Sequence, residues 1–256
     1  GAASLPRALL AAGVALALQV GVNYANDYSD GVRGTDEVRT GPPRLTGGGL
    51  VAPRVVKMAA FASFGVAAVL GLVLVTVSGT WWLLLAGAAA VVAAWFYTGG
   101  KRPYGYMGLG EVFVFVFFGL LATAGTTYTQ ALAVDGATWL GASGIGLIAC
   151  ALLMVNNIRD IPTDSVVGKH TLAVRLGESR ARAVFAAMVL VPLLLGAAAW
   201  WWHPWAPIVL ALAPVAVVLA RPVLRGERGL SLIPVLRNTG LYELAYAVVL
   251  GIGLVL

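Results

Sequence analysis

The chain has 256 residues, 60% of them hydrophobic and only 11% charged, with a formal net charge of +6. A soluble domain carries about 25% charged residues, so this composition, with a mean hydropathy of +0.89, excludes an ordinary water-soluble globular domain and describes an integral membrane protein. The single cysteine, Cys150, excludes a disulfide framework and any cysteine-based metal site.

In chain order, eight apolar runs approach the ~20 residues needed to cross a bilayer: about 8–26, 55–78, 81–98, 110–131, 137–157, 181–200, 205–220 and 238–256. They lack the strict alternation of membrane strands, and helices satisfy their own backbone polar groups in lipid. The expected fold is therefore all-α: a polytopic transmembrane helical bundle of eight spans, one domain over 1–256, with cap loops on one face.

Charge places that face. Loops after odd-numbered runs carry 16 of the 17 basic residues, and only Arg7 lies opposite. Of the 11 acids, only Asp135 lies in a loop on the far side. By the positive-inside rule the charged face is cytoplasmic, which predicts a multi-pass protein of a bacterial inner membrane. Trp81, Trp82, Trp139 and Trp200 to Trp202 flank the short opposite loops and read as an interfacial belt. No nucleic-acid motif is present; the cytoplasmic loops account for the basic balance.

Two acidic segments end apolar runs: NYANDYSDGVRGTD (23–36) and NNIRDIPTD (156–164). Asn23 and Asp27 stand in the same NxxxD relation as Asn156 and Asp160, and a further carboxylate follows each, Asp30 or Asp164. The echo suggests a remote internal duplication in which each half brings an acidic segment to a shared cavity. Each set falls at a helix C-terminal end, where the macrodipole disfavours anions, and carboxylates three or four apart repel one another on a shared face. Cations must offset this. Oxygen ligands without His or Cys suit Mg²⁺ or Mn²⁺, and Mg²⁺ commonly uses one or two carboxylates plus substrate phosphates. The pattern reads as a diphosphate held through metal ions; the alternative is solvated juxtamembrane acids paired with neighbouring arginines.

Lys101 and Arg102, in YTGGKRPYGYMGLGE, lie in a Gly-rich loop able to approach phosphate oxygens. Glu111, opening the next span, is either a helix N-terminal acid or a partner for those cations. Arg159 and Lys169 flank Asp160 and Asp164, where they bind diphosphate or neutralise the cluster. Tyr97, Tyr104 and Tyr106 line a pocket or anchor the interface. Residues 31–54 and 165–178 are the natural cap material.

With these motifs in view, the sequence resembles the UbiA superfamily of intramembrane prenyltransferases. NDYSDGVRGTDEVRTGPPRLTGGGLV, YTGGKRPYGYMGLGE, NNIRDIPTDSVVGKHTLAVRLG and LRNTGLYELAY are most similar to its 1,4-dihydroxy-2-naphthoate polyprenyltransferase branch. The resemblance implies transfer of a polyprenyl group from polyprenyl diphosphate to dihydroxynaphthoate, with release of pyrophosphate and CO₂ to give demethylmenaquinone. It implies Asp27, Asp30 and, at longer spacing, Asp36 as ligands of one Mg²⁺, and Asp160 and Asp164 of a second. It also implies that Lys101 would join these carboxylates in catalysis. Substrate contacts would come from Arg33, Arg102, Arg159 and Lys169, with Asn23 and Asn156 in support and Tyr97 and Tyr104 nearby. Family members typically have nine helices; a first helix preceding this chain would return the N-terminus to the cytoplasm. Two rival readings are a 4-hydroxybenzoate prenyltransferase and an anion or ion transporter.

Overall fold

The computed structural model describes residues 3–35 and 44–256. Among the described residues every regular element is helical: α1 (Leu5–Arg33), α2 (Pro53–Ser78), α3 (Leu83–Phe96), α4 (Gly110–Val114), α5 (Gly125–Ala131), α6 (Gly136–Val166), α7 (Leu172–Leu176), α8 (Glu178–Ala198), α9 (Ala213–Leu224) and α10 (Ile233–Val255), with short 3₁₀ turns and one π-helical stretch, Phe115–Ala124. Among the described residues seven helical segments are long and apolar enough to cross a membrane, and α3 is shorter. All eight expected runs are thus helices. At 14 residues α3 covers about 21 Å, because the chain turns at Trp81 and Trp82 before it and enters a Gly-rich loop after it.

The helices extend past their apolar runs where local chemistry allows. Pro53 opens α2 in the first turn, where its missing N–H costs nothing. Gly34 closes α1 in the left-handed conformation (φ 75°), its N–H bonding back to Asp30 and Gly31 carbonyls. Asp135 caps α6 by accepting from the Thr138 N–H at 2.8 Å, and the Thr138 bonds hold its carboxyl below the usual carboxylate range.

The chain divides into two compact units, Gly1–Met107 with Gly125–Ala133, and Gly108–Ala124 with Val134–Leu256. In the first, α1 packs along α2, around Ala25, Ala60 and Phe64. A Cβ on Gly21 would fall 2.5 Å from the Phe64 ring, so the absent side chain is what lets that ring seat. In the second, α6 is the central helix, packed on α8, α10 and the π-helical stretch. A Cβ on Gly119 would lie 2.4 Å from Gly146 Cα; the two backbones touch directly, as small-residue packing in membranes permits.

Polar ties lock the second unit's loops. Buried Arg182 on α8 donates to the carbonyls of Val223 (2.5 Å) and Glu227 (2.7 Å) at the end of α9 and pairs with Glu178 at 2.7 Å. Arg228 also pairs with Glu178 at 2.7 Å. The belt tryptophans Trp81, Trp82, Trp139 and Trp200 to Trp202 are all exposed, together with many aliphatic side chains; such apolar cover suits lipid.

Candidate active site

In the first unit, Asp27 and Asp30 occupy the last two turns of α1, and both are buried. Asp27 is met by main-chain N–H groups: Leu45 donates to Oδ2 at 2.8 Å and Thr46 to Oδ1 at 2.7 Å. These bonds dock the segment Arg44–Leu50, part of the expected cap, onto the helix end. Close approach requires Gly31, where a Cβ would lie 2.6 Å from Thr46 Cβ and 2.8 Å from Gly47 N. Asp30 Oδ1 accepts from the Tyr106 hydroxyl at 2.6 Å. Burial and the Asp30 charge push the Tyr106 hydroxyl pKa above its ordinary value, so the phenol stays a donor.

The Gly-rich loop joins the same end of α1. Arg33 donates to the carbonyls of Thr98 and Gly100 and stands over the Tyr106 ring, while Thr98 Oγ1 donates to Asn26 Oδ1 at 2.9 Å. Lys101 and Arg102 project from this loop as exposed cations. Tyr104 donates to the Ala93 carbonyl at 2.8 Å and packs edge-on to Tyr97, so this pair also folds the loop back on α3. Asn23 is exposed and bonds to the Gln19 carbonyl at 2.8 Å; the asparagine reaching the loop is Asn26, which sequence reasoning missed. Asp36 lies outside the described residues.

In the second unit, Asp160 and Asp164 are buried in the last two turns of α6. Arg159 grips Asp160 with Nε to Oδ1 at 2.7 Å and Nη2 to Oδ2 at 2.6 Å, and its Nη2 also reaches Asn156 Oδ1 at 2.9 Å. Lys169 Nζ stands 4.0 Å from Asp164 Oδ1, and its N–H bonds to the Asp164 carbonyl at 2.8 Å. Cations therefore offset the acids here, as helix-end repulsion demands. Pro162 lies between the two acids inside the helix and removes an N–H from the helical ladder, loosening the turn that carries them. His170 is exposed.

A further polar pair had no sequence signal beyond its residue types. Asn157, next to Asn156 but on a buried face, donates to Glu111 Oε1 at 3.2 Å, and Cys150 Sγ donates to the Glu111 carbonyl at 3.1 Å. The expected alternatives for Glu111, a cap or a partner of Lys101 and Arg102, did not include Asn157; its partner is 46 positions away in the chain.

The carboxylate sets fit magnesium by donor chemistry: hard oxygens in pairs one turn apart, with no imidazole or thiolate beside them. Among the described residues no group of three or more His, Cys, Asp or Glu side chains is placed to hold a metal; magnesium commonly takes one or two carboxylates and completes its shell from substrate phosphate and water.

The profile of the UbiA prenyltransferase family matches residues 1–232. The chain is 50% identical over 244 residues to a 1,4-dihydroxy-2-naphthoate octaprenyltransferase of Mycobacterium tuberculosis, covering 94% of this chain and 82% of that one. It is 46% identical over 245 residues to the protein of the same name from Mycobacterium leprae, with the same coverage. Among solved structures, a UbiA homolog from Archaeoglobus fulgidus bound to GPP and Mg²⁺ superposes with a TM-score of 0.66 over 99% of this chain and 89% of that one, at 14% identity. Helical membrane architecture, paired acidic helix ends and these similarities lead to one assignment: the chain belongs to the UbiA prenyltransferase family.

Proposed function

We propose that the protein transfers a polyprenyl group from polyprenyl diphosphate to 1,4-dihydroxy-2-naphthoate, releasing pyrophosphate and CO₂, at the cytoplasmic side of a bacterial inner membrane. The observation that carries this reading is the pair of buried carboxylates in the last turns of both α1 and α6, in a chain half identical to proteins named for that reaction.

Asp27 and Asp30 would hold one magnesium ion, with Asp36, which follows them in the sequence, as a further candidate, and Asp160 and Asp164 would hold the second. The chemistry magnesium would supply there is neutralisation of the charge that develops on the departing pyrophosphate. Arg159 and Lys169, already beside the carboxylates, move their donors to diphosphate oxygens, and Asn156 keeps Arg159 oriented. Lys101 and Arg102, exposed on the Gly-rich loop, supply further cations for diphosphate oxygens, and Arg33 fixes that loop through its carbonyls. The docked segment Arg44–Leu50 and the 98–107 loop exclude water from the allylic cation, while the prenyl tail lies among apolar helix faces.

The test is pyrophosphate release by purified protein in lipid, with polyprenyl diphosphate and Mg²⁺, Mn²⁺ or chelator, offering dihydroxynaphthoate, 4-hydroxybenzoate or no acceptor. Metal-dependent release coupled to a prenylated naphthalene supports the reading. Product from hydroxybenzoate alone replaces the acceptor, and absence of product from either overturns the enzymatic reading.

A further inference from the structure

Catalysis as described makes no use of the buried acid Glu111. Glu111, 4% exposed, places Oε1 on Asn157 and leaves Oε2 buried without a hydrogen-bond partner among the described residues. Leaving such an acceptor unmade costs about 1–3 kcal/mol, more for a charged group, and unsatisfied buried groups in native proteins are few and call for a reason. The carboxyl is also held in place: Asn157 fixes one oxygen, and the Cys150 thiol bonds to the carbonyl of the same residue. A rigidly held acceptor atom with nothing to accept from is the complement of a donor on a ligand.

Its location identifies the ligand. Asn157 precedes Asp160 by one turn on α6, so the carboxyl is anchored about 4.5 Å farther toward the middle of the helix than the carboxylate that Arg159 grips. Met154 is fully buried on the turn of α6 before Asn157, Phe113 and Phe117 stack on each other in the helical segment that carries Glu111, and the Glu243 carboxyl stands within electrostatic reach of Cys150. A planar aromatic ring suits that environment, and a hydroxyl on it supplies the missing donor.

We propose that Glu111 Oε2 binds a hydroxyl of the aromatic acceptor and takes its proton as the ring attacks. The inference rests on the prenyl transfer proposed above. In the step, the O–H electron pair moves toward the ring, a ring carbon bonds to the allylic carbon, and the allylic C–O bond breaks with its electrons leaving on pyrophosphate. The hydroxyl proton resides on Glu111 Oε2. The carboxylate then serves as catalytic base and as the feature that selects hydroxylated rings, a discrimination that buried hydrogen-bonding groups provide strongly.

The experiment joins binding to turnover. 1-Hydroxy-2-naphthoate, 4-hydroxy-2-naphthoate and 2-naphthoate are titrated into wild-type protein, E111Q and E111A, and all three proteins are assayed with dihydroxynaphthoate. Loss of the relevant hydroxyl is expected to weaken binding to wild type about tenfold, the scale of a hydrogen bond to a charged group, and to leave binding to E111A unchanged. E111Q, nearly isosteric, is expected to lower kcat by about 100-fold, within the range of general-base catalysis, with the donor KM and thermal unfolding unchanged. Wild-type kcat in E111Q, or equal hydroxyl dependence in wild type and E111A, overturns the assignment of Glu111 while leaving prenyl transfer intact. A wild-type protein that prenylates no phenolic acceptor overturns the underlying function and this inference with it. If E111A unfolds, the same titrations on the nearly isosteric E111Q supply the comparison, and hydroxyl dependence equal to wild type there overturns the assignment.

Discussion

Arg159 holds both carboxylate oxygens of its sequence neighbour Asp160, at 2.7 and 2.6 Å, with both side chains almost wholly buried. A pair of this kind is hard to break from one side. Arg159→Ala leaves a buried carboxylate uncompensated, a loss of about 3–5 kcal/mol by the usual scale. The expected result is a large fall in thermal unfolding temperature together with a raised KM for polyprenyl diphosphate. Arg159→Lys keeps the charge but not the two-point grip, so it should restore more of the stability than of the donor affinity.

Asp27 makes a different prediction. Its acceptors serve Leu45 and Thr46, so Asp27→Ala is expected to free the Arg44–Leu50 segment as well as remove a metal ligand. Hydrogen exchange at the Leu45 and Thr46 amides should accelerate markedly, since each charged-group hydrogen bond contributes about 1.5–3 kcal/mol. Turnover should nearly vanish while helix content is preserved. Slow exchange in the variant would show that the segment is held by other contacts.

Gly31→Ala tests the same docking without touching a carboxylate. The added methyl meets Thr46 and the Gly47 backbone below 3.0 Å, and overpacking of this kind costs about 1–3 kcal/mol. Faster proteolysis near residues 44–50 and reduced kcat are expected, with the metal requirement unchanged.

Tyr106→Phe deletes the 2.6 Å donor to Asp30. A raised folded-state pKa means that the tyrosine's contribution is complete below its ordinary value of about 10 and is lost only as pH rises through the higher folded value. Between pH 7 and that ordinary value of about 10, wild-type stability should show no loss attributable to Tyr106. The phenylalanine variant should be less stable by a constant amount over that range, measured by thermal unfolding in detergent.

Apolar run length made the helices legible, and the outlines of α1 and α6 were foreshadowed by the acids that end them. Their true ends were not, because helix continuation past an apolar run depends on capping by Gly34 and on Lys169 N–H bonding to Asp164. Charge counting anticipated that cations would offset the acids, and Arg159 and Lys169 do so in the second unit. In the first unit, backbone N–H groups and a phenol also serve the carboxylates, which composition cannot reveal since every residue carries an N–H. Asn23 and Asn26 look interchangeable in the sequence; helix phase alone turns one to Gln19 and the other to Thr98. Glu111 and Asn157 meet across 46 positions of chain, between segments that also touch at Gly119 and Gly146.

That glycine contact has a mechanical meaning. It fixes α6 about a third of the way along its length, where neither backbone has a side chain to yield, so bending of the helix is pivoted at Gly146. Asp164 lies about 27 Å beyond the pivot at ~1.5 Å per residue, with Pro162 weakening the shaft just before it. Small angular fluctuations at the glycines therefore become the largest excursions of α6 at its acidic end, and Asn157, nearer the pivot on the same arm, moves less than Asp164.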